Sequence, residues 1–72
     1  MNKESQIKNQ IRAFRFNNGE MTQQRLADLV GVTRQTINAI EHCKYSPSLE
    51  VAFKIAKAFN APLQDVFQYE EE

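Results

Sequence analysis

Arg34, Gln35 and Asn38 fall within five consecutive residues, and each carries the hydrogen-bonding groups that read the edge of a base pair. An arginine fork matches O6 and N7 of guanine, and the carboxamide of glutamine or asparagine matches N6 and N7 of adenine. The chemistry on offer is recognition rather than bond-making. His42 and Cys43 are neighbours, yet no third ligand and no grouping of nucleophile, base and orienting residue accompanies them, so they read as ordinary helix-end residues. Neither a metal site nor a cofactor motif is expected, and the single cysteine cannot close an intramolecular disulfide.

For those polar groups to project together they must share the outer side of a helix. On a wheel at about 100° per residue, Ile37 and Ile40 occupy one face, while Gln35, Asn38, Ala39 and His42 occupy the other. Thr33 is the expected N-cap of this helix, with Val32 and Ile37 placed as a hydrophobic staple. Just upstream, Thr22 caps a shorter helix with Met21 and Leu26 as its staple, and Gly31 ends it by supplying a positive φ at little steric cost. Two helices joined through Gly31 and Val32 alone must cross steeply, which is the spacing of a helix-turn-helix over about residues 22–41.

Three further helices complete the pattern. Ile7, Ile11 and Phe14 predict an amphipathic first helix that stops at Asn17-Asn18-Gly19. Ser48 starts a fourth, with Leu49, Ala52, Phe53, Ala56 and Phe59 as its inward row and Lys54 and Lys57 outward. Asn60-Ala61-Pro62 breaks it, and Leu63 to Phe67 form a last short turn of helix. Strict alternation of apolar and polar residues is absent, so the expected fold is all-α, a compact bundle of five helices forming one domain over residues 1–72. Phe53, Phe59, Val66 and Phe67 are expected in the core.

The 72 residues contain nine basic and nine acidic side chains, a neutrality that at face value argues against a nucleic-acid partner. Distribution restores the possibility, because Asp65, Glu70, Glu71 and Glu72 cluster at one end and residues 1–64 hold nine basic groups against five acidic ones. Residues 68–72 read as a fraying acidic tail. No apolar run approaches the roughly 20 residues of a membrane span, and Met1-Asn2-Lys3-Glu4-Ser5 does not lead into a signal peptide, so a cytoplasmic location beside the nucleoid is expected. So short a chain buries little surface alone, which favours a homodimer, and Leu63, Phe67 and Tyr69 form the candidate seam.

The segment "TQQRLADLVGVTRQTINAIEHCKYSPSLEVAFKIAKAFNAPLQDVF" resembles the Cro and lambda-repressor type of helix-turn-helix regulators, also called the Xre family, and the likeness runs over about residues 7–67. The resemblance implies a lambda-repressor-like fold and a regulator that binds double-stranded DNA. It gives base reading to Thr33, Arg34, Gln35 and Asn38, and it gives Gln23 a phosphate contact together with support of the recognition helix. Lys44 takes the place of a backbone-contacting loop lysine, and Thr22, Thr36 and His42 join it in the backbone set. Arg15 and Glu41 occupy the positions of a structural ion pair, a role that the wheel position of Glu41, near the apolar face, also supports.

Two departures stand out. "NNGEMTQ" carries one more residue before the threonine than many members, and Cys43 replaces a customary glycine at a helix end that favours left-handed backbone. Either the cysteine accepts strain of order 1 kcal/mol there or the turn differs locally. The expected activity is equilibrium binding to a palindromic operator by a homodimeric repressor, with no small-molecule ligand and no enzymatic turnover. The alternative from another class is an antitoxin-like protein-interaction module, which overall neutrality and the apolar C-terminal patch both allow.

Overall fold

Three hydroxyl side chains start the three longest helices. Thr22 Oγ1 accepts from the Arg25 amide (2.9 Å) at the head of α2 (Gln23–Val30), and Thr33 Oγ1 accepts from the Thr36 amide (3.1 Å) at the head of α3 (Arg34–Glu41). Ser48 Oγ does the same for the Val51 amide (3.2 Å) at α4 (Leu49–Ala58). Each satisfies one of the four amides that a helix start leaves without a partner. The computed structural model describes residues 6–70, so the reading of the first five residues and of Glu71 and Glu72 lies outside the described residues.

The same helices end alike, each on a residue in left-handed backbone. Gly31 (φ 88°) follows α2, Cys43 (φ 60°) follows α3 and Asn60 (φ 55°) follows α4. In each case the next amide folds back on the last full turn: Val32 to the Ala27 carbonyl (3.1 Å), Lys44 to Ala39 (2.9 Å) and Ala61 to Ala56 (3.0 Å). This is the Schellman arrangement, which satisfies orphan carbonyls that would otherwise need water. Cys43 therefore takes the backbone that glycine would take, and the strained alternative is the one adopted.

The buried faces follow the helical period. Leu26, Ala27 and Val30 from α2, Ile37 and Ile40 from α3, and Ile55, Ala56 and Phe59 from the α4 region pack together with Ile11 of α1 (Ile11–Asn17) and Val66 of α5 (Leu63–Val66). Fully burying one such isoleucine or leucine contributes roughly 1.5–3 kcal/mol. Phe14 stacks on Phe59 with ring centroids 5.3 Å apart, tying α1 to the end of α4.

Several expectations are corrected. The inward row of α4 is Ala52, Ile55, Ala56 and Phe59, whereas Leu49 and Phe53 are 69% and 53% exposed. Phe53 stands one residue, about 100°, beyond Ala52, which carries it off the buried stripe.

The fold is mostly helical but not all-α. Ile7–Asn9 forms a strand, β1, antiparallel to β2 (Phe67–Tyr69), with Ile7 opposite Tyr69 and Asn9 opposite Phe67. Ile7 thus lies in a strand, and α1 begins only at Ile11. Asn9 explains the break: its Oδ1 accepts from the Ile11 amide (3.2 Å) while its Nδ2 donates to the Ile40 carbonyl (2.9 Å) at the end of α3. An asparagine engaged with its own backbone favours a bend over a continuing helix.

The acidic tail is corrected as well. Gln68 and Tyr69 belong to β2, and the Glu70 amide donates to the Gln6 carbonyl (2.9 Å). Among the described residues no helix is long and apolar enough to cross a membrane.

Replacing Cys43 by glycine should raise stability by about 0.5–1 kcal/mol, the relief of left-handed strain being partly offset by the freer unfolded chain. Urea unfolding checks this, with the midpoint rising and the slope unchanged.

Candidate nucleic-acid interface

α3 presents two unlike sides. Ile37 and Ile40 are buried, whereas Thr33, Arg34, Gln35 and Asn38 are exposed. The residues read as base-contacting therefore lie at the accessible start and outer face of a helix anchored from behind. Thr36 is half-buried, and its hydroxyl lies 3.0 Å from that of Thr33, so it joins the cap.

What holds α3 in place is a polar cluster shared by three helices. Arg15, in the last turn of α1, donates from Nε to Glu41 Oε2 (2.6 Å) and from a terminal nitrogen to Glu41 Oε1 (3.2 Å). The pair is well shielded, with side chains 15% and 7% exposed. A two-pronged guanidinium–carboxylate contact in such a setting is stronger and more directional than a surface pair. The remaining terminal nitrogen of Arg15 donates to the Met21 carbonyl (2.8 Å), and the Met21 amide donates to the Arg15 carbonyl (2.8 Å). The α1–α2 turn, with Gly19 and Glu20 both at positive φ, is thus closed onto Arg15 from both sides.

Gln23 opens α2 and reaches across to α3. Its Nε2 donates to Glu41 Oε1 (3.2 Å) and to Asn38 Oδ1 (3.1 Å), which engages both N–H groups of that nitrogen. Thr22 and Gln23 stand at the head of α2, where the free amides and the helix dipole favour an anion.

At the other end of α3, His42 Nδ1 lies 2.8 Å from the Asn38 carbonyl. A carbonyl only accepts, so Nδ1 carries the proton and Nε2 faces outward. Lys44 is exposed and follows the left-handed Cys43.

Arg15, Gln23, Asn38 and Glu41 are brought together by the fold, while Lys44 sits apart beyond the end of α3. Two residues escaped the sequence reading. Asn9 bonds the α3 terminus through a side chain no periodicity signals. Arg12 is exposed and lines the open groove that Gln23, Glu41 and His42 also line. Its position one turn before Arg15 was the available signal. No group of three or more potential metal ligands occurs among the described residues.

Away from this region lies an apolar groove lined by Ile7, Pro47, Leu49, Ala52, Leu63 and Phe67. Leu63 and Phe67 are half-buried in it, and Tyr69, on β2, is 61% exposed.

The profile of the family described as Helix-turn-helix matches residues 11–66. An uncharacterized HTH-type transcriptional regulator of Methanocaldococcus jannaschii is 48% identical over 66 residues, covering 92% of this chain and 98% of its own. One from Bacillus subtilis is similar to the same degree, with the same coverage of both chains. Among solved structures, the restriction-modification controller protein C.AhdI of Aeromonas hydrophila superimposes with a TM-score of 0.70 at 27% identity, over 76% of this chain and 78% of its own. A Bacteroides fragilis protein shares the fold at a TM-score of 0.74 and 24% identity, over 86% of this chain and 98% of its own.

Replacing Arg15 by methionine leaves the Glu41 carboxylate shielded and without its counter-charge, which should cost about 3 kcal/mol in urea unfolding. Replacing both Arg15 and Glu41 by methionine should cost clearly less than the single change, a non-additivity that a surface pair would not produce.

Proposed function

This chain belongs to the Cro/lambda-repressor type of helix-turn-helix family, and from that premise we propose that it is a sequence-selective, duplex-DNA-binding transcriptional repressor acting as a homodimer on a palindromic site. The carrying observation is the two-sided character of α3: Arg34, Gln35 and Asn38 stand exposed on a helix whose opposite side, Ile37 and Ile40, is buried. Such a helix can enter the major groove without disturbing the fold that holds it.

In this reading Thr33, Arg34, Gln35 and Asn38 contact base edges, Arg34 matching guanine and Gln35 matching adenine. Thr22, Gln23, Thr36, His42 and Lys44 meet the phosphate backbone. Gln23 does so through its main-chain amide, because both side-chain N–H groups are engaged by Glu41 and Asn38. His42 keeps Nδ1 committed to the Asn38 carbonyl, which leaves Nε2 as the ring nitrogen for the backbone contact.

The dimer seam is assigned to Leu63, Phe67 and Tyr69 beside the apolar groove. No residue of that groove is among the base-reading set, so the proposed seam and the proposed reading face use different side chains. A two-fold dimer would set them about 34 Å apart, in successive major grooves. Binding there would exclude other proteins from the site, which is repression by occlusion. The residues 1–72 then act as one DNA-binding domain, located with the chromosome and needing no cofactor.

Selection from a random duplex pool should return a palindrome with half-sites about one helical turn apart. Changing Arg34 or Gln35 to alanine should each cost about 1–3 kcal/mol at specific base pairs, read by gel shift, with unfolding unchanged, and the double variant should lose both preferences. Affinity should also fall steeply as salt rises. A folded double variant as tight and selective as the parent, or the absence of any salt-sensitive shift, overturns the proposal. Tyr69→Glu should weaken self-association in sedimentation without unfolding the chain.

A further inference from the structure

The cluster behind α3 has a fixed direction of hydrogen bonding that runs out to the candidate reading face. A carboxylate only accepts, and the Arg15 fork occupies Glu41 from one side through both oxygens. Glu41 Oε1 also faces the end of the Gln23 amide (3.2 Å), so that end must be Nε2, because an amide oxygen there would set lone pair against lone pair. The other N–H of the same nitrogen points to Asn38 (3.1 Å), so the end of the Asn38 amide turned to Gln23 must be Oδ1. A flipped Asn38 would place donor against donor. The end of Asn38 left for a ligand is Nδ2.

We infer that Gln23 locks the Asn38 side-chain amide in one orientation, so that Asn38 reads the major groove as a hydrogen-bond donor and rejects cytosine. Guanine offers N7 and O6, adenine offers N7 and thymine offers O4, all of which accept from Nδ2. Cytosine offers only its N4 amine there, which would oppose Nδ2 donor to donor. The lone pair remaining on Oδ1 does not rescue cytosine, which would need an acceptor in the place that Nδ2 occupies. Gln23 is accordingly a specificity-positioning residue acting through Asn38, and the chain of influence begins at Arg15. This inference rests on the proposed docking of α3 in the groove.

The test uses the full chain and operator duplexes selected from a random pool. Asn38→Ala identifies the base position that Asn38 reads, as the position whose selectivity collapses. There the parent should bind its best base about tenfold or more tightly than cytosine. Gln23→Met keeps the bulk of the side chain but offers no N–H, so Asn38 becomes free to flip and the ratio against cytosine should fall below about threefold. Discrimination at the position read by Arg34 should stay as it was, which separates loss of the lock from general loosening.

Asn38→Asp retains an oxygen for Gln23 and turns a second oxygen outward, so it should come to prefer cytosine. This arm reads the polarity even if Gln23→Met folds poorly. A parent that tolerates cytosine at that position, undiminished discrimination in folded Gln23→Met, or an Asn38→Asp variant that still rejects cytosine overturns the inference while DNA binding stands. If Asn38→Ala alters no position but Arg34→Ala does, Asn38 reads no base and the inference fails alone. If neither alters any position, the proposed base reading fails with it.

Discussion

The contact between Arg15 and Glu41 is the constraint on which the arrangement of the three N-terminal helices depends. Two charged groups are held largely out of water, which is unfavourable for each alone, and the cost is offset only while the paired geometry persists. That geometry requires α1 to end where it does, α3 to keep its last turn, and Met21 to return its carbonyl to the guanidinium. A hydrophobic contact would tolerate a helix sliding by a fraction of a turn, whereas a forked guanidinium on a carboxylate does not. The apolar core supplies most of the stabilisation, and the ion pair sets the angle at which α3 is presented.

Much of this was legible in the residues because local rules and tertiary packing agree. Thr22, Thr33 and Ser48 are the residue types that cap helices, and each stands immediately before an apolar stripe with a 3.6-residue period. Gly31 and the short span after it identified the tight junction between α2 and α3. Ile37 and Ile40 followed from periodicity alone.

The misses have physical reasons. Ile7 sits four residues before Ile11, a helical spacing, but Asn9 between them bonds to backbone at two places and bends the chain. A three-residue strand is too short to show alternation, and its partner lies some sixty residues away, beyond the reach of any local pattern. Phe53 misled because a large aromatic residue next to a true inward position looks like core, although the 100° step carries it to the surface. At the candidate interface, the exposed face of α3 could be read from the wheel, but the hydrogen bond from Gln23 to Asn38 could not. It joins residues fifteen apart through two side chains, and its direction is set by a third.

The strand pair carries a consequence for how the molecule assembles. Ile7 meets Tyr69, so β1 and β2 close a loop containing nearly all of the described chain, a closure that is entropically unfavourable until the helices have shortened the path between them. Helices α2, α3 and α4 pack through contacts much nearer in sequence, so their packing carries a smaller closure cost than the pairing of the two strands. The strand pair is thus the part of the fold whose formation spans the most chain, with only three residues on each side to hold it.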